Sequence, residues 1–338
     1  MHRVGSTNED DLSVTMSLPY NLKEAHTVQY DPASIFELPV DKGATHLSWR
    51  LDADRTYPFL DKTSLETWSE RILKPGAQVA CAKCSHPLTK GVNEWKNLPS
   101  GGWADMMDLW HCHKPDLPRQ SRKGAGSTKG YAAARILKPS EDCALVDAGF
   151  FYFAKAQLLD LKISDQTGAA IECNKCSAEI GNAALPDHAK LFKWAVAVRP
   201  AATEAWESLE LQKVFAAQLL AIIEETAVRR FIVHSGNGHY SKDALLIWVF
   251  TPTLAYRTET EKRFGPHFRQ GISAMKVFYK KVSKTPDIVS NARMKDEDIQ
   301  LPSAALKELE DILQKSTTEI LPEPHRKHED WTIGLLES

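Results

Sequence analysis

Apolar and polar positions along the first third of the chain alternate in short runs broken by turn residues. Ser13 to Leu18, Thr27 to Tyr30, Ala44 to Leu51 and Gln78 to Ala82 therefore read as β-strands. Between Thr63 and Leu73 the spacing allows a helical turn or two, which Pro75-Gly76 stops. Ala144 to Leu159, with its Phe150-Phe151-Tyr152-Phe153 run, predicts a buried strand leading into a turn or helix. Phe192 to Val198 reads as a strand ended by Pro200. The strongest helical pattern runs from Thr203 to Val228, where Trp206, Leu209, Val214, Leu219, Ile222 and Ile223 recur at helical intervals. Arg230 to His234 and Ala244 to Val249 flank Gly236-Asn237-Gly238 in the manner of a hairpin with a long loop. Lys276 to Val282 is a further strand. Ser303 caps a helix whose stripe is Leu306, Leu309, Ile312 and Leu313, with Pro322 beyond its end. No repeat of 20 to 50 residues is present, which argues against solenoids and propellers. The class expected is α+β, with a β-rich N-terminal half of antiparallel sheets and an α+β C-terminal half carrying one long helix.

Residues 1–11 are polar and unpatterned and read as a flexible tail. Arg119 to Gly130, rich in Gly, Ser and basic residues, reads as a loop or linker within the first half. The expected division is a β-rich domain over 12–160 and an α+β domain over 161–338. At 338 residues, with 43% hydrophobic and 25% charged positions, both parts can bury a core, and wholesale disorder is excluded. A net charge of -2 argues against a general nucleic-acid binder, so no direct nucleic-acid partner is expected. No apolar run approaches the ~20 residues that span a bilayer. The chain opens on polar residues, so a soluble intracellular protein without a membrane partner is the expectation.

Cysteine usage narrows the chemistry. Four of the six cysteines form two pairs, Cys81-Ala82-Lys83-Cys84 and Cys173-Asn174-Lys175-Cys176. A two-residue spacer folds both sulfurs of a pair toward one ion, and two pairs supply the four thiolates of a tetrahedral Zn2+ site. Its role would be structural, joining the two halves. The 88 residues between Cys84 and Cys173 far exceed the spacing of a common zinc ribbon. Two alternatives therefore stay open: Cys81 and Cys84 completed by Cys112 and a neighbouring histidine, or no metal.

The densest chemical text is Trp103 to Asp116, which contains Asp108 and the run Trp110-His111-Cys112-His113-Lys114. In an extended segment, His111 and His113 share one face and Cys112 takes the other. Three adjacent residues cannot close a tetrahedron alone. The segment is then either a packed element with locally bonded histidines, or an exposed loop whose ligands meet a metal centre in a partner. His234 and His239 lack a neighbouring nucleophile and read as surface histidines, and Lys276, Lys280, Lys281 and Lys284 as a solvated strand face. No Gly-x-Ser-x-Gly, Walker A, Gly-x-Gly-x-x-Gly or His-Glu-x-x-His occurs, which leaves hydrolase, NTPase and dinucleotide readings without support.

The two separated cysteine pairs, the Trp103 to Pro115 segment and the closing Asp330-Trp331-Thr332-Ile333-Gly334-Leu335-Leu336 together resemble the HECT-like, E2-binding protein family, from about Leu12 to the end. The resemblance implies two roles. One is E3 ubiquitin-protein ligase activity, in which a cysteine accepts ubiquitin as a thioester from an E2. The other is association with the zinc-dependent, metallo-β-lactamase-type endonuclease of mRNA cleavage and polyadenylation, in the nucleus and cytoplasm. A HECT ligase carries its acceptor cysteine near the C-terminus, whereas no cysteine occurs in the 162 residues after Cys176. With Cys81, Cys84, Cys173 and Cys176 on zinc, and Cys143 beside an apolar run, Cys112 is the acceptor expected of a ligase. In the binding role, Trp110, His111, Cys112, His113, Lys114 and Asp108 form the contact. Imidazole and thiolate would donate to the metals of the nuclease, holding it inactive during assembly. A binding or assembly factor is the preferred expectation, with ligase activity second.

Overall fold

The computed structural model describes residues 2–3, 13–15, 27–29, 68–98, 138–163, 166–185, 187–201, 203–235, 244–256, 272–282 and 296–338. The expected strand at Ala44 to Leu51, the Arg119 to Gly130 linker, the Gly236 to Gly238 turn and the whole of Trp103 to Asp116 lie outside the described residues. The chain forms two compact units. One comprises Thr63–Leu246, Lys281–Leu309 and Ser338; the other comprises Met1–Lys62, Ile247–Lys280 and Glu310–Glu337. In the second, β1 (His2–Arg3), β2 (Ser13–Thr15) and β3 (Thr27–Gln29) pair antiparallel.

Two sheets of the larger unit frame its main core. The first contains β4 (Gln78–Cys81), β12 (Val196–Arg199) and β13 (Glu207–Ser208), in the order β13-β12-β4. The second has seven strands: β5 (Glu94–Asn97), β6 (Cys143–Val146), β7 (Phe150–Ala154), β8 (Leu161–Lys162), β9 (Ala170–Cys173), β10 (Glu179–Leu185) and β11 (His188–Phe192). Its order is β5-β6-β7-β11-β10-β9-β8. Pairing is antiparallel except between β5 and β6. Side chains alternate across this sheet as the two-residue period requires. Ala144, Val146, Phe151 and Phe153 enter the main core with Trp68 and Trp95, whereas Cys143, Leu145 and Tyr152 form a smaller cluster. In the main core, Trp95 meets Phe151 and Phe153 edge-on, with centroids 5.4 and 5.8 Å apart. Cys81 and Cys173 are part of the same core.

Several sequence expectations change here. The strand expected from Phe192 to Val198 is split: β11 ends at Phe192, a 3-10 turn takes Lys193–Ala195, and β12 begins at Val196. Ala144 to Leu159 folds as a hairpin, turning at Asp147-Ala148-Gly149, followed by a single 3-10 turn at Lys155–Gln157. The helix expected from Thr203 begins only at Leu211: α1 spans Leu211–Thr226. Val198 and Ala197 of β12 pair with Glu207 and Ser208, which commits that stretch of backbone to a sheet before the helix can start. Trp206, counted as a helical apolar position, is 42% exposed under the Arg199 guanidinium, 5.2 Å from the ring centroid. α1 buries Leu211, Val214, Phe215, Leu219 and Ile223, and ends on Ala227 at φ 59, whose N–H donates to the Ile223 carbonyl. β14 (Arg230–His234) pairs in parallel with β17 (Glu297–Gln300), a second exception to the antiparallel expectation.

In the smaller unit lie most of β15 (Ala244–Tyr256), with β16 (Ile272–Val282), β18 (Lys327–His328) and β19 (Trp331–Glu337), in the order β15-β16-β19-β18. α2 (Ser303–Lys315) starts where Ser303 predicts and continues into a π-helical turn at Ser316–Ile320. Thr317 Oγ1 lies 3.0 Å from the Tyr279 hydroxyl and donates to the Ile333 carbonyl at 2.7 Å, and Leu335 N–H donates to Ser316 Oγ at 2.9 Å. The opposite sheet face carries Trp248, Phe250, Phe278 and Trp331. The molecule is thus a sheet-rich α+β protein. Among the described residues, no helix is long and apolar enough to cross a membrane.

Candidate metal centre

The two Cys-x-x-Cys segments fold as near-identical loops. Cys81 ends β4 and Cys173 ends β9. In the first loop Cys81 N–H donates to the His86 carbonyl and Ser85 N–H returns to the Cys81 carbonyl, at 2.9 and 2.8 Å. In the second, Cys173 N–H donates to the Ala178 carbonyl and Ser177 N–H to the Cys173 carbonyl, both at 2.9 Å. Reversal of the chain requires a left-handed residue after each second cysteine, and both positions are serine: Ser85 at φ 57 and Ser177 at φ 53.

The loops face one another across the edge of the main core. Cys81 Sγ lies 3.7 Å from Cys176 Sγ, Cys84 Sγ lies 3.7 Å from Cys173 Sγ, and all four sulfurs fall within 4.8 Å of one another. A tetrahedron with ~2.3 Å metal–sulfur arms has edges of ~3.8 Å, so the cluster has the size and donor set of a four-thiolate metal site. Cys81 and Cys173 are buried; Cys84 and Cys176 are half-buried.

The surroundings suit thiolates. Cys81 accepts backbone hydrogen bonds from Cys84 and Lys83, Cys84 from His86, and Cys176 from Ala178. Burial pushes the Cys81 thiol up to about 12 against those donors, and burial likewise raises Cys84. The Ala178 N–H, opposed by burial and helped by the neighbouring sulfurs, holds Cys176 down to about 7. Without a cation the four thiols cannot ionise together, because each added negative charge raises the next. A divalent ion removes that penalty.

Side chains outside the sulfur set tie the two loops together. His86 Nε2 lies 3.1 Å from Asp160 Oδ2, and the Asp160 carbonyl accepts the Asn174 N–H at 3.0 Å. Lys162 donates to Ser177 Oγ at 3.0 Å. None of these partners emerges from the spacing of the cysteines. One available signal is the recurrence of Cys-x-Lys-Cys-Ser, at Cys81–Ser85 and Cys173–Ser177, which marks the two loops as the same backbone form.

The structure brings together Cys81, Cys84, Cys173 and Cys176, so the alternative that completes the first pair with Cys112 is not needed. Cys143 is elsewhere, 8% exposed beside Leu145 and Tyr152, and burial raises its thiol. Asp108, Trp110, His111, Cys112, His113 and Lys114 lie outside the described residues. Lys280 pairs with Asp330 at 2.7 Å and sits 4.4 Å over Trp331, while Lys276 sits 5.5 Å over Phe250. His234 is half-buried at the end of β14, and its carbonyl accepts the Leu301 N–H at 2.9 Å.

Comparison with known proteins agrees with the residue-level resemblance. The family described as HECT-like ubiquitin-conjugating enzyme (E2)-binding matches residues 2–333. A Schizosaccharomyces pombe protein described as uncharacterized is 24% identical over 262 residues, covering 76% of this chain and 72% of its own. A Saccharomyces cerevisiae protein, also described as uncharacterized, is 23% identical over 272 residues, covering 79% of this chain and 71% of its own. No solved structure matches.

Proposed function

We propose that this chain, which belongs to the HECT-like ubiquitin-conjugating enzyme (E2)-binding family, acts by binding partners rather than by carrying ubiquitin on a thiol. Membership points to ancestry in the ubiquitin system and to an E2 as a partner. The observation that carries the reading is the disposition of sulfur. Four of the five described cysteines converge on one cluster suited to a structural Zn2+, the fifth is buried, and none follows Cys176. A HECT-type transfer needs an exposed thiolate within reach of the E2 thioester.

Bound zinc would neutralise the thiolates and add its binding free energy to folding, which makes the cluster a staple within the larger unit. Cys112 then remains for function. In this reading the Trp110-His111-Cys112-His113-Lys114 segment, with Asp108, engages the metal-bearing cleft of the mRNA 3'-end processing endonuclease. The chain serves as an assembly factor for that enzyme in the nucleus and cytoplasm. Imidazole and thiolate are good zinc donors, which supports a segment of this composition as a ligand for a dinuclear zinc site.

Ligase activity is the competing reading, and Cys112 is its acceptor. Incubation of the full chain with ubiquitin-charged E2 separates the two. The binding reading expects E2 association without a covalent product, and weaker endonuclease capture by Cys112→Ser or His113→Ala. A reductant-sensitive ubiquitin adduct that disappears in Cys112→Ser would establish the ligase instead.

A further inference from the structure

We propose that Asp160 and His86 form a latch that sets how fast a metal leaves the four-cysteine cluster. The inference rests on the cluster holding a metal, and it assigns the control of that site to two residues outside the sulfur set.

Asp160 touches both loops through different groups. Its carboxylate is hydrogen-bonded to His86 in the first loop, with Nε2 and Oδ2 at 3.1 Å. Its carbonyl accepts the Asn174 N–H in the second loop at 3.0 Å. His86 is in turn fixed to the ligands: its carbonyl accepts the Cys81 N–H at 2.9 Å, and its own N–H donates to the Cys84 sulfur. The path Cys84–His86–Asp160–Asn174–Cys173 therefore spans the cluster without passing through a metal. Opening the cluster parts the loops, and this path must break for the loops to separate.

Asp160 is held in the left-handed region at φ 49, a conformation that favours glycine and is tolerated by aspartate. That conformation presents the carbonyl to one loop and the carboxylate to the other from a single residue. The latch is also the accessible part of the site, since the Asp160 side chain is 63% exposed and the His86 side chain 25%. A chelator arriving from solvent meets it before Cys81 or Cys173, which are fully buried. Groups that orient metal ligands without binding the metal typically change affinity by ~10 to 100-fold when removed.

The test uses the zinc-loaded full chain and follows zinc transfer to a chromogenic chelator in excess. Asp160→Gly keeps the left-handed backbone and its carbonyl while deleting the carboxylate; His86→Ala deletes the other end. Each single variant is expected to release zinc about tenfold faster than wild type. The double variant is expected to release it no faster than either single, because both remove one contact. Lys74→Ala, which breaks the exposed Lys74–Glu204 pair, is expected to leave the rate unchanged. The melting temperature of the metal-free proteins is read alongside: His86→Ala and Lys74→Ala are expected to leave it within error, and Asp160→Gly to raise it slightly by relieving the left-handed backbone, so a faster release in either latch variant does not come from a less stable fold. Unchanged rates in both single variants, or rates that multiply in the double, overturn the latch while zinc is still bound. Wild type that binds no zinc overturns the metal reading and the latch with it.

Discussion

Lys193 places an ammonium in the interior of the larger unit, 1% exposed, 5.3 Å from the Phe151 ring centroid and 3.5 Å from the Trp68 carbonyl. Burial pushes it from its ordinary 10.5 down to about 7, with the nearby Asp147 carboxylate opposing that shift. A base with a depressed folded value binds fewer protons folded than unfolded between those two points. Stability therefore rises with pH from about 7 to 10.5, by at most about 1.4 kcal/mol per pH unit. Lys190, also lowered by burial, acts in the same direction; Asp147, raised by burial, acts oppositely as it titrates. Urea midpoints between pH 7 and 9 are expected to climb in wild type and to climb less in Lys193→Met. An equal slope in both would remove Lys193 from the account. Gly181 poses a steric constraint. A Cβ there would lie 2.0 Å from the Lys190 carbonyl oxygen, across the β10–β11 pairing that sets Gly181 opposite Leu191. Gly181→Ala is expected to cost about 2 kcal/mol in chemical denaturation, since the obstacle is backbone and cannot swing aside. A cost below a few tenths would show that the strands separate freely.

The two cysteine loops are the element on which the site depends, and their shape gives a paired prediction. Ser85 and Ser177 occupy left-handed backbone that an L-residue enters at a cost of about 1 kcal/mol. Ser85→Gly and Ser177→Gly are each expected to raise stability by several tenths of a kcal/mol with metal content retained. Ser85→Val is expected to lower stability and to loosen the metal; a valine tolerated without loss would contradict the loop geometry. Both cysteine pairs are legible in sequence because a two-residue spacer has few other uses in a chain with so few cysteines. The Asp160–His86 contact was illegible, because it depends on one backbone dihedral and on two segments 74 residues apart. The same limit explains the Cys143 to Ala154 hairpin. Apolar text runs through it almost unbroken because both faces of that sheet are covered, and only Asp147-Ala148-Gly149 marks the reversal. The start of α1 escapes a reading of spacing for the converse reason: residues 203–210 have helical spacing, but β12 claims part of them as a sheet edge.

At the scale of the molecule, the fold class was readable and the assembly was not. Periodicity separates strands from helices locally, and it gave α2 from Ser303 and the β16 strand around Lys276–Val282. It does not say which strands become neighbours. Thus the pairing of β5 with β6 and of β14 with β17 runs parallel where antiparallel sheets were expected. The four cysteines all fall within the unit that contains Thr63–Leu246, so a metal bound there would close a long loop inside that unit. Closing such a loop reduces the freedom of the unfolded chain, which is how a distant pair of ligands contributes to stability. The role proposed for Cys112 requires these four sulfurs to be committed to one ion, with Cys112 outside that set. The most direct measurement is zinc per chain by elemental analysis of purified wild type, Cys112→Ser and Cys176→Ser. One zinc in wild type and in Cys112→Ser, with loss in Cys176→Ser, is the predicted result. Loss of zinc in Cys112→Ser, or its absence from wild type, would contradict the account.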